Sequence, residues 1–215
     1  MSNPFHQHLD ELNALLVDMA RRVGAAIEQA TAALLEGDTA AAEAIVAEDE
    51  LVNALQFQID DRIIELMTQY DAVASDLRFV LGAVRISVDL ERMGDLAKHV
   101  AKSVLLRAPA AVIPDSLRLD FAAMGAAAAR ISEKLVGILA EQDYLQATQM
   151  SLDDDELDAV QDRIHAQLPN LGYGSETAGD VVLLARFYER FGDHAVRVAH
   201  QVAYAVTGDI HLDRS

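Results

Sequence analysis

Two short acidic motifs are the residues of this chain best suited to chemistry. Glu91-Arg92-Met93-Gly94-Asp95 and Glu189-Arg190-Phe191-Gly192-Asp193 share the pattern E-R-x-G-D. Residues four apart lie on one face of a helix. Glu91 and Asp95 therefore point the same way, as do Glu189 and Asp193. Like charges at that spacing repel, by roughly a few tenths of a kcal/mol when exposed. Two readings are open. The first is a solvent-facing acidic groove, with Arg92 and Arg190 as intramolecular partners. The second is a carboxylate metal site, with Glu and Asp as hard oxygen ligands for Mg²⁺, Mn²⁺ or iron. Weaker extra candidates are Asp49 and Asn53, four apart, and Asp154 and Asp158 at the matching positions of the second half. As single residues these four read as exposed or capping groups.

The pairs also extend apolar stripes. Leu77, Leu81, Val84 and Val88 lead to Glu91 and Asp95, and Ala178, Val182 and Ala185 lead to Glu189. This spacing predicts that each pair lies where an apolar seam would otherwise run on. A carboxylate on a seam must meet a cation, an arginine or water, because an unpaired buried charge is very costly. Gly94 and Gly192 remove a side chain beside the acids, which opens room for a second helix or a ligand.

The elements that must carry these motifs are long helices. The chain has 215 residues, rich in Ala and Leu and with only 4 Pro. Ala and Leu lose least on entering a helix. Apolar periodicity and punctuation predict six segments: about 5–35, 38–70, 75–107, 115–141, 143–168 and 175–208. Asp38, Ser75, Asp115, Asp143 and Ser175 are the expected openings. Residues 108–114, Ala-Pro-Ala-Ala-Val-Ile-Pro, read as the linker, since both prolines break helix. Gly172-Tyr173-Gly174 reads as a turn.

The two halves repeat each other. Residues 19–59 shifted by 105 match at ten of forty-one positions without a gap. Glu91–Ala101 and Glu189–Ala199 then match at seven of eleven, at a shift of 98. The expected architecture is all-α: two tandem three-helix bundles related by pseudo-twofold symmetry. The boundaries are 1–107, a linker at 108–114, 115–208 and a tail at 209–215.

Charge and composition exclude several function classes. The 35 acidic residues outnumber 17 basic ones, for a net charge of −18. That repels phosphate backbones and argues against direct nucleic-acid binding. Without Cys there is no disulfide framework and no thiolate metal site. No uncharged stretch reaches the ~18 apolar residues of a membrane span, and the start lacks a secretory pattern, so the chain reads as cytoplasmic. Motifs of phosphate loops, serine hydrolases and di-iron E-x-x-H sites are missing. No catalytic residues are therefore assigned. His99 and His194 do not recur between copies and read as packed or polar residues rather than ligands.

The combination resembles the PhoU family of phosphate-uptake regulators. The resemblance is carried by Glu91–Ala97 and Glu189–Ala195, together with Asp76-Leu77-Arg78, which is similar to the family's D-L-R. It spans about residues 5–207. It implies paired three-helix bundles that self-associate as a homodimer. It also implies Mg, Mn, Fe or Zn ions at Glu91, Asp95, Glu189 and Asp193. The role it implies is non-enzymatic: coupling the ATPase subunit of the phosphate ABC transporter to a sensor histidine kinase, so that phosphate-starvation genes stay off in high phosphate. The second copy departs from the pattern, with Gly174-Ser175-Glu176 in place of D-L-R. The alternative from another class is a metal-dependent phosphohydrolase on a helical bundle. Such enzymes often join His-Asp pairs to carboxylates, and this chain has no His-Asp dipeptide.

Overall fold

The computed structural model describes residues 4–70, 74–170, 172 and 174–209. Among them all regular structure is helical. Helices α1 (Pro4–Glu36), α2 (Thr39–Gln69) and α3 (Ala74–Arg107) make the first repeat. Helices α4 (Arg118–Glu141), α5 (Tyr144–Ala147), α6 (Met150–Gln167) and α7 (Ser175–Thr207) make the second. The expected tail at 209–215 lies outside the described residues beyond Asp209, as does Tyr173 of the expected turn.

Each repeat packs on itself, and the repeats then pack on each other, α3 against α7 and α1 against α4. The four long helices α1, α3, α7 and α4 thus close a central ring. Helix α2 lies outside it against α1 and α3, and α6 outside it against α4 and α7. Tyr188, Phe121, Phe191, Leu12, Leu90 and Met93 are fully buried in the shared core. Such packing along the whole length is what allows helices of more than thirty residues to be stable.

Local chemistry sets the helix ends. Asp38 caps α2 by accepting the Ala41 N–H at 3.0 Å. Asp143 caps α5 through the Leu145 and Gln146 N–H groups, both at 3.0 Å. Each cap follows a left-handed residue, Gly37 at φ +69° and Gln142 at φ +51°. These two positions correspond at the shift of 105. Glycine adopts that conformation freely, whereas glutamine is strained by its Cβ.

Three helix expectations need correction. The segment 143–168 is not one helix, because it breaks at Thr148 and Gln149. There the Gln149 N–H bonds Gln146 O, and the Thr148 hydroxyl bonds Leu145 O at 2.8 Å, which tightens the turn. Helix α6 restarts at Met150 with Asp153 in its first turn, where the macrodipole favours an acid. Ser175 is not a cap: α7 is preceded by Gly174 and has no side-chain cap hydrogen bond. Asp115 opens a 3₁₀ turn, Asp115–Leu117, rather than α4 itself.

The predicted seam is also misplaced. Leu77, Leu81 and Val88 are exposed at 40%, 48% and 44%, and Val182 at 40%. The buried stripe of α3 runs instead through Val80, Ala83, Ser87, Leu90, Ala97 and Val104. That face mixes large side chains (Ile86, Leu90, Met93, Val100) with small ones (Ala83, Ala97, Ala101) where the neighbouring helices approach closely, and the stripe through Leu77, Leu81 and Val88 lies beside it.

The α1/α4 crossing shows such close approach in detail. Thr31 of α1 lies over Gly125 of α4, and its hydroxyl bonds Ile27 O at 2.7 Å and the Tyr188 hydroxyl at 2.8 Å. About two turns along the same crossing, Gly24 of α1 faces Ser132 of α4. A Cβ at Gly125 would collide with the Thr31 side chain, whereas one at Gly137, in the same helix, would meet open space. Gly137→Ala should therefore stabilise the protein by about 1 kcal/mol, the ordinary helix-propensity gain. Gly125→Ala should reverse the sign and cost about 1–3 kcal/mol through overpacking. Denaturant melts of both variants check the pair. Gln142→Gly should raise the melting temperature by about 1–3 °C by relieving the left-handed strain.

Candidate metal centre

The acidic residues of the two repeats lie between the central ring and its flanking helices. In the first repeat α3 presents Glu91 and Asp95, and α2 presents Asp49 and Asn53. Gly94 allows the close approach, since a Cβ there would stand 3.2 Å from Val52 and 3.7 Å from Asp49 Oδ1. Between the carboxylates lies the Lys98 ammonium. Its Nζ donates to Asp49 Oδ2 at 2.6 Å and to Asp95 Oδ1 at 2.5 Å. Asp49, 8% exposed, is the most buried acid of the group. Arg92 adds weaker pairs from the surface, to Glu91 Oε2 at 3.6 Å and Asp95 Oδ2 at 3.5 Å. Asn53 Nδ2 is 3.5 Å from Asp49 Oδ2.

Titration follows this geometry. Burial pushes the Asp95 carboxyl up, but the hydrogen bond and charge of Lys98, with His99 and Arg92, outweigh it and hold the carboxyl below its ordinary value. Burial pulls the Lys98 ammonium down, and its bonds to Asp49 and Asp95 outweigh that and raise it. Glu91 is raised by burial and by the charge of Asp95, against the pull of Arg92.

In the second repeat α7 presents Glu189 and Asp193, and α6 presents Asp154 and Asp158. The position matching Lys98 is Val196, which packs against the core. No ammonium bridges this cluster among the described residues. Arg186 Nη1 donates to Glu189 Oε1 at 2.6 Å from a largely exposed position. The buried atoms Glu189 Oε2 and Asp154 Oδ1 have no hydrogen-bond partner. Asp154 leans over Gly192, where an added Cβ would collide with its Oδ1. Burial, then the charges of Asp158, Asp193, Glu189 and Asp155, push the Asp154 carboxyl up to about 7. Asp158 and Glu189 are raised by burial and by Asp193, against the pull of Arg186.

The structure thus gathers the eight residues predicted from sequence into two clusters of four. It does not converge any three His, Asp or Glu side chains into a ready metal cage among the described residues. The two clusters differ in how they suit a cation. The second offers only hard oxygen donors, two of them orphaned, which is the donor chemistry of Mg²⁺ or Mn²⁺. The first holds a protein ammonium at its centre. Sequence reasoning missed Lys98 and Arg186. It named Arg190 as the partner of the second pair, and the ion pair is made by Arg186 instead. The signal for Lys98 was present in the alignment of the two copies, as a mismatch of Lys against Val.

The histidines are structural. His194 is buried, with Nδ1 2.8 Å from Asp89 Oδ1 across the α3/α7 interface. His99 stacks on Phe187 with ring centroids 5.3 Å apart. His211 lies outside the described residues.

Comparison with known proteins places this arrangement. The family model for the PhoU domain matches twice, at residues 16–104 and 121–202. The chain is 35% identical over 210 residues to the "Phosphate-specific transport system accessory protein PhoU homolog 2" of Mycobacterium tuberculosis, covering 97% of this chain and 99% of that protein. It is 34% identical to PhoU homolog 1 of Mycobacterium leprae, covering 99% and 97%. Crystal structures of PhoU from Pseudomonas aeruginosa and of the PhoU phosphate transport regulatory protein from Streptococcus pneumoniae superpose with TM-scores of 0.84 and 0.83. Their identities are 22% and 23%, with 95% and 96% of this chain covered and 100% and 98% of theirs. Two E-R-x-G-D motifs on the paired helices α3 and α7, and a family match that falls once on each repeat, make this chain a member of the PhoU family.

Proposed function

We propose that this protein is a non-enzymatic regulator of phosphate uptake and phosphate-starvation signalling. It couples the ATPase subunit of a phosphate transporter to a sensor histidine kinase, and works as a homodimer in the cytoplasm. The observation that carries the reading is the near full-length likeness to phosphate-specific transport accessory proteins. A strongly acidic surface supports it, because a regulator that repels DNA must act through other proteins. Among the described residues no helix is long and apolar enough to cross a membrane, so contact with the transporter is made from outside the bilayer. Deleting the gene should derepress phosphate-starvation genes in high phosphate. Normal repression in the deletion strain, tight binding of promoter DNA, or phosphatase turnover with Mn²⁺ would each overturn the reading.

The proposal includes a divalent cation at Asp154, Asp158, Glu189 and Asp193. These residues would hold Mg²⁺ or Mn²⁺ through carboxylate oxygens, and the ion would supply the positive charge that Arg186 only begins to provide. Mass action then stabilises the fold by about 2.7 kcal/mol at a hundredfold excess over the dissociation constant. For a chain of this size that is roughly 5–10 °C in melting temperature. Asp154→Asn should lose most of this shift, and an unchanged shift would refute the site.

The metal-free protein carries a pH signature of the same cluster. With Asp154 at about 7 in the folded state, the native protein keeps a proton that the unfolded chain releases near 4. Stability from this group therefore falls as pH rises from about 4 to about 7, and remains low above. In chelator, Asp154→Asn should be more stable than the wild type at pH 8, by on the order of a few kcal/mol, with the advantage shrinking toward pH 5. Urea melts across that range check the sign.

A further inference from the structure

We infer that the first repeat carries its own cation: the Lys98 ammonium, held between Asp49 and Asp95, closes that cluster to divalent ions and leaves the chain with one metal site, in the second repeat. The inference rests on the metal reading of Asp154, Asp158, Glu189 and Asp193 and divides it between the two repeats. Resemblance to the family implies metal at both motifs, and the donor set of the first does not fit that.

The geometry is specific. Lys98 lies three residues beyond Asp95 on α3, and its Nζ spans to Asp49 on α2 at 2.6 Å while bonding Asp95 at 2.5 Å. Both bonds join an ammonium to a carboxylate and are charge-assisted, a stronger class than hydrogen bonds between neutral groups. Its ammonium thus occupies the space between two carboxylates of facing helices, where a bridging ion would have to lie. A tethered cation competes at the effective concentration of an intramolecular group, on the order of millimolar or above. A divalent ion must first expel it, and expulsion separates Lys98 from Asp49, the most buried acid of the cluster.

The second repeat provides the internal control. Asp154 stands at the position of Asp49, Asp193 at that of Asp95, and Val196 at that of Lys98. There the carboxylate at the Asp49 position keeps one buried oxygen without a partner, Asp154 Oδ1. Two differences between otherwise matching positions therefore separate the clusters: Val196 in place of Lys98 removes the ammonium, and Asp158 in place of Asn53 adds a carboxylate. Lys98 is in this sense a specificity-determining residue of the site that its own repeat would otherwise form.

Equilibrium dialysis against Mn²⁺, with free ion read by electron paramagnetic resonance, tests this on the full chain. The wild type should bind one Mn²⁺, and Asp154→Asn none. Lys98→Met keeps the aliphatic stem, removes the charge and should bind two. Val196→Lys should lose the wild-type site. In chelator, Lys98→Met should melt below the wild type, and saturating Mn²⁺ should restore more of that loss than it adds to the wild type. A folded Lys98→Met protein that gains no site overturns the inference, as does a wild type that binds two ions with equal affinity. If the wild type binds none while Lys98→Met binds one, the metal reading of the second repeat fails and the inference about the first stands. If Lys98→Met does not fold, Val196→Lys decides: loss of the wild-type Mn²⁺ supports the inference and retention overturns it.

Discussion

A carboxylate wedged between two packed helices must meet positive charge, and the architecture of this protein follows that demand. Helices α3 and α7 form the centre of the molecule, where their inner faces make the shared core. The face just beyond the core meets α2 on one side and α6 on the other. The E-R-x-G-D motifs stand on that second face. Gly94 and Gly192 bring the flanking helix close enough that its own acids enter the same space. The acids are therefore too enclosed to be solvated like surface groups, yet too many to be paired by one arginine. A cation or a retained proton must then offset them, because desolvated like charges raise each other's proton affinity instead of ionising freely.

Duplication gave both repeats the same problem, and their differences show how symmetry was broken. The two histidines illustrate it. Asp89 and His194 join α3 to α7 within a contact that runs from Gly82 and Ala205 to Arg107 and Asp180. At the positions related by the shift of 98, the residues are Phe187 and Leu96. The polar pair thus has apolar residues at its symmetry-related positions, and His99 stacks on the Phe187 ring there. The histidines do not recur because they serve the single joint between repeats. Lys98 and Val196 break the symmetry of the outer clusters in the same way.

Much of this was legible in the chain. Asp38 and Asp143 announced their helices because a short acceptor before an apolar run satisfies free N–H groups. The shifts of 105 and 98 gave the pairing of Asp49 with Asp154 and of Glu91 with Glu189. Three features were not legible, each for a physical reason. The break at Thr148 has no Pro or Gly to mark it; the Gln149 N–H turns back to Gln146 O in a tightened turn that no residue type announces. The stripe through Leu77 and Leu81 outranks Ala83 and Ala97 in hydropathy. The buried face, however, also carries Val80, Ile86, Leu90 and Val104, so hydropathy along one helix does not decide which of two apolar stripes meets its neighbours. Lys98 lies one residue past the recognisable motif, and a motif directs the eye to what the copies share. The informative residue was one they do not.

The placement of the second cluster also bears on how an ion could act. Helix α6 is shorter than α2 and strongly acidic, and a break separates it from α5. Salt bridges from Lys134 to Asp153 and from Arg130 to Glu156 hold it toward α4, and buried Leu157, Val160 and Ile164 anchor its apolar side. On the α7 side, Asp154 and Asp158 instead confront Glu189 and Asp193. Repulsion there works against docking of the very helix that carries half the acids. An ion bound by both helices draws its ligands from each, so its binding free energy is shared with the closure of α6 onto α7. In the first repeat the covalently attached ammonium makes the corresponding contact permanent. One flank of the molecule is thus closed by its own lysine, whereas the other sets the carboxylates of two helices against each other with no bridging ammonium among the described residues.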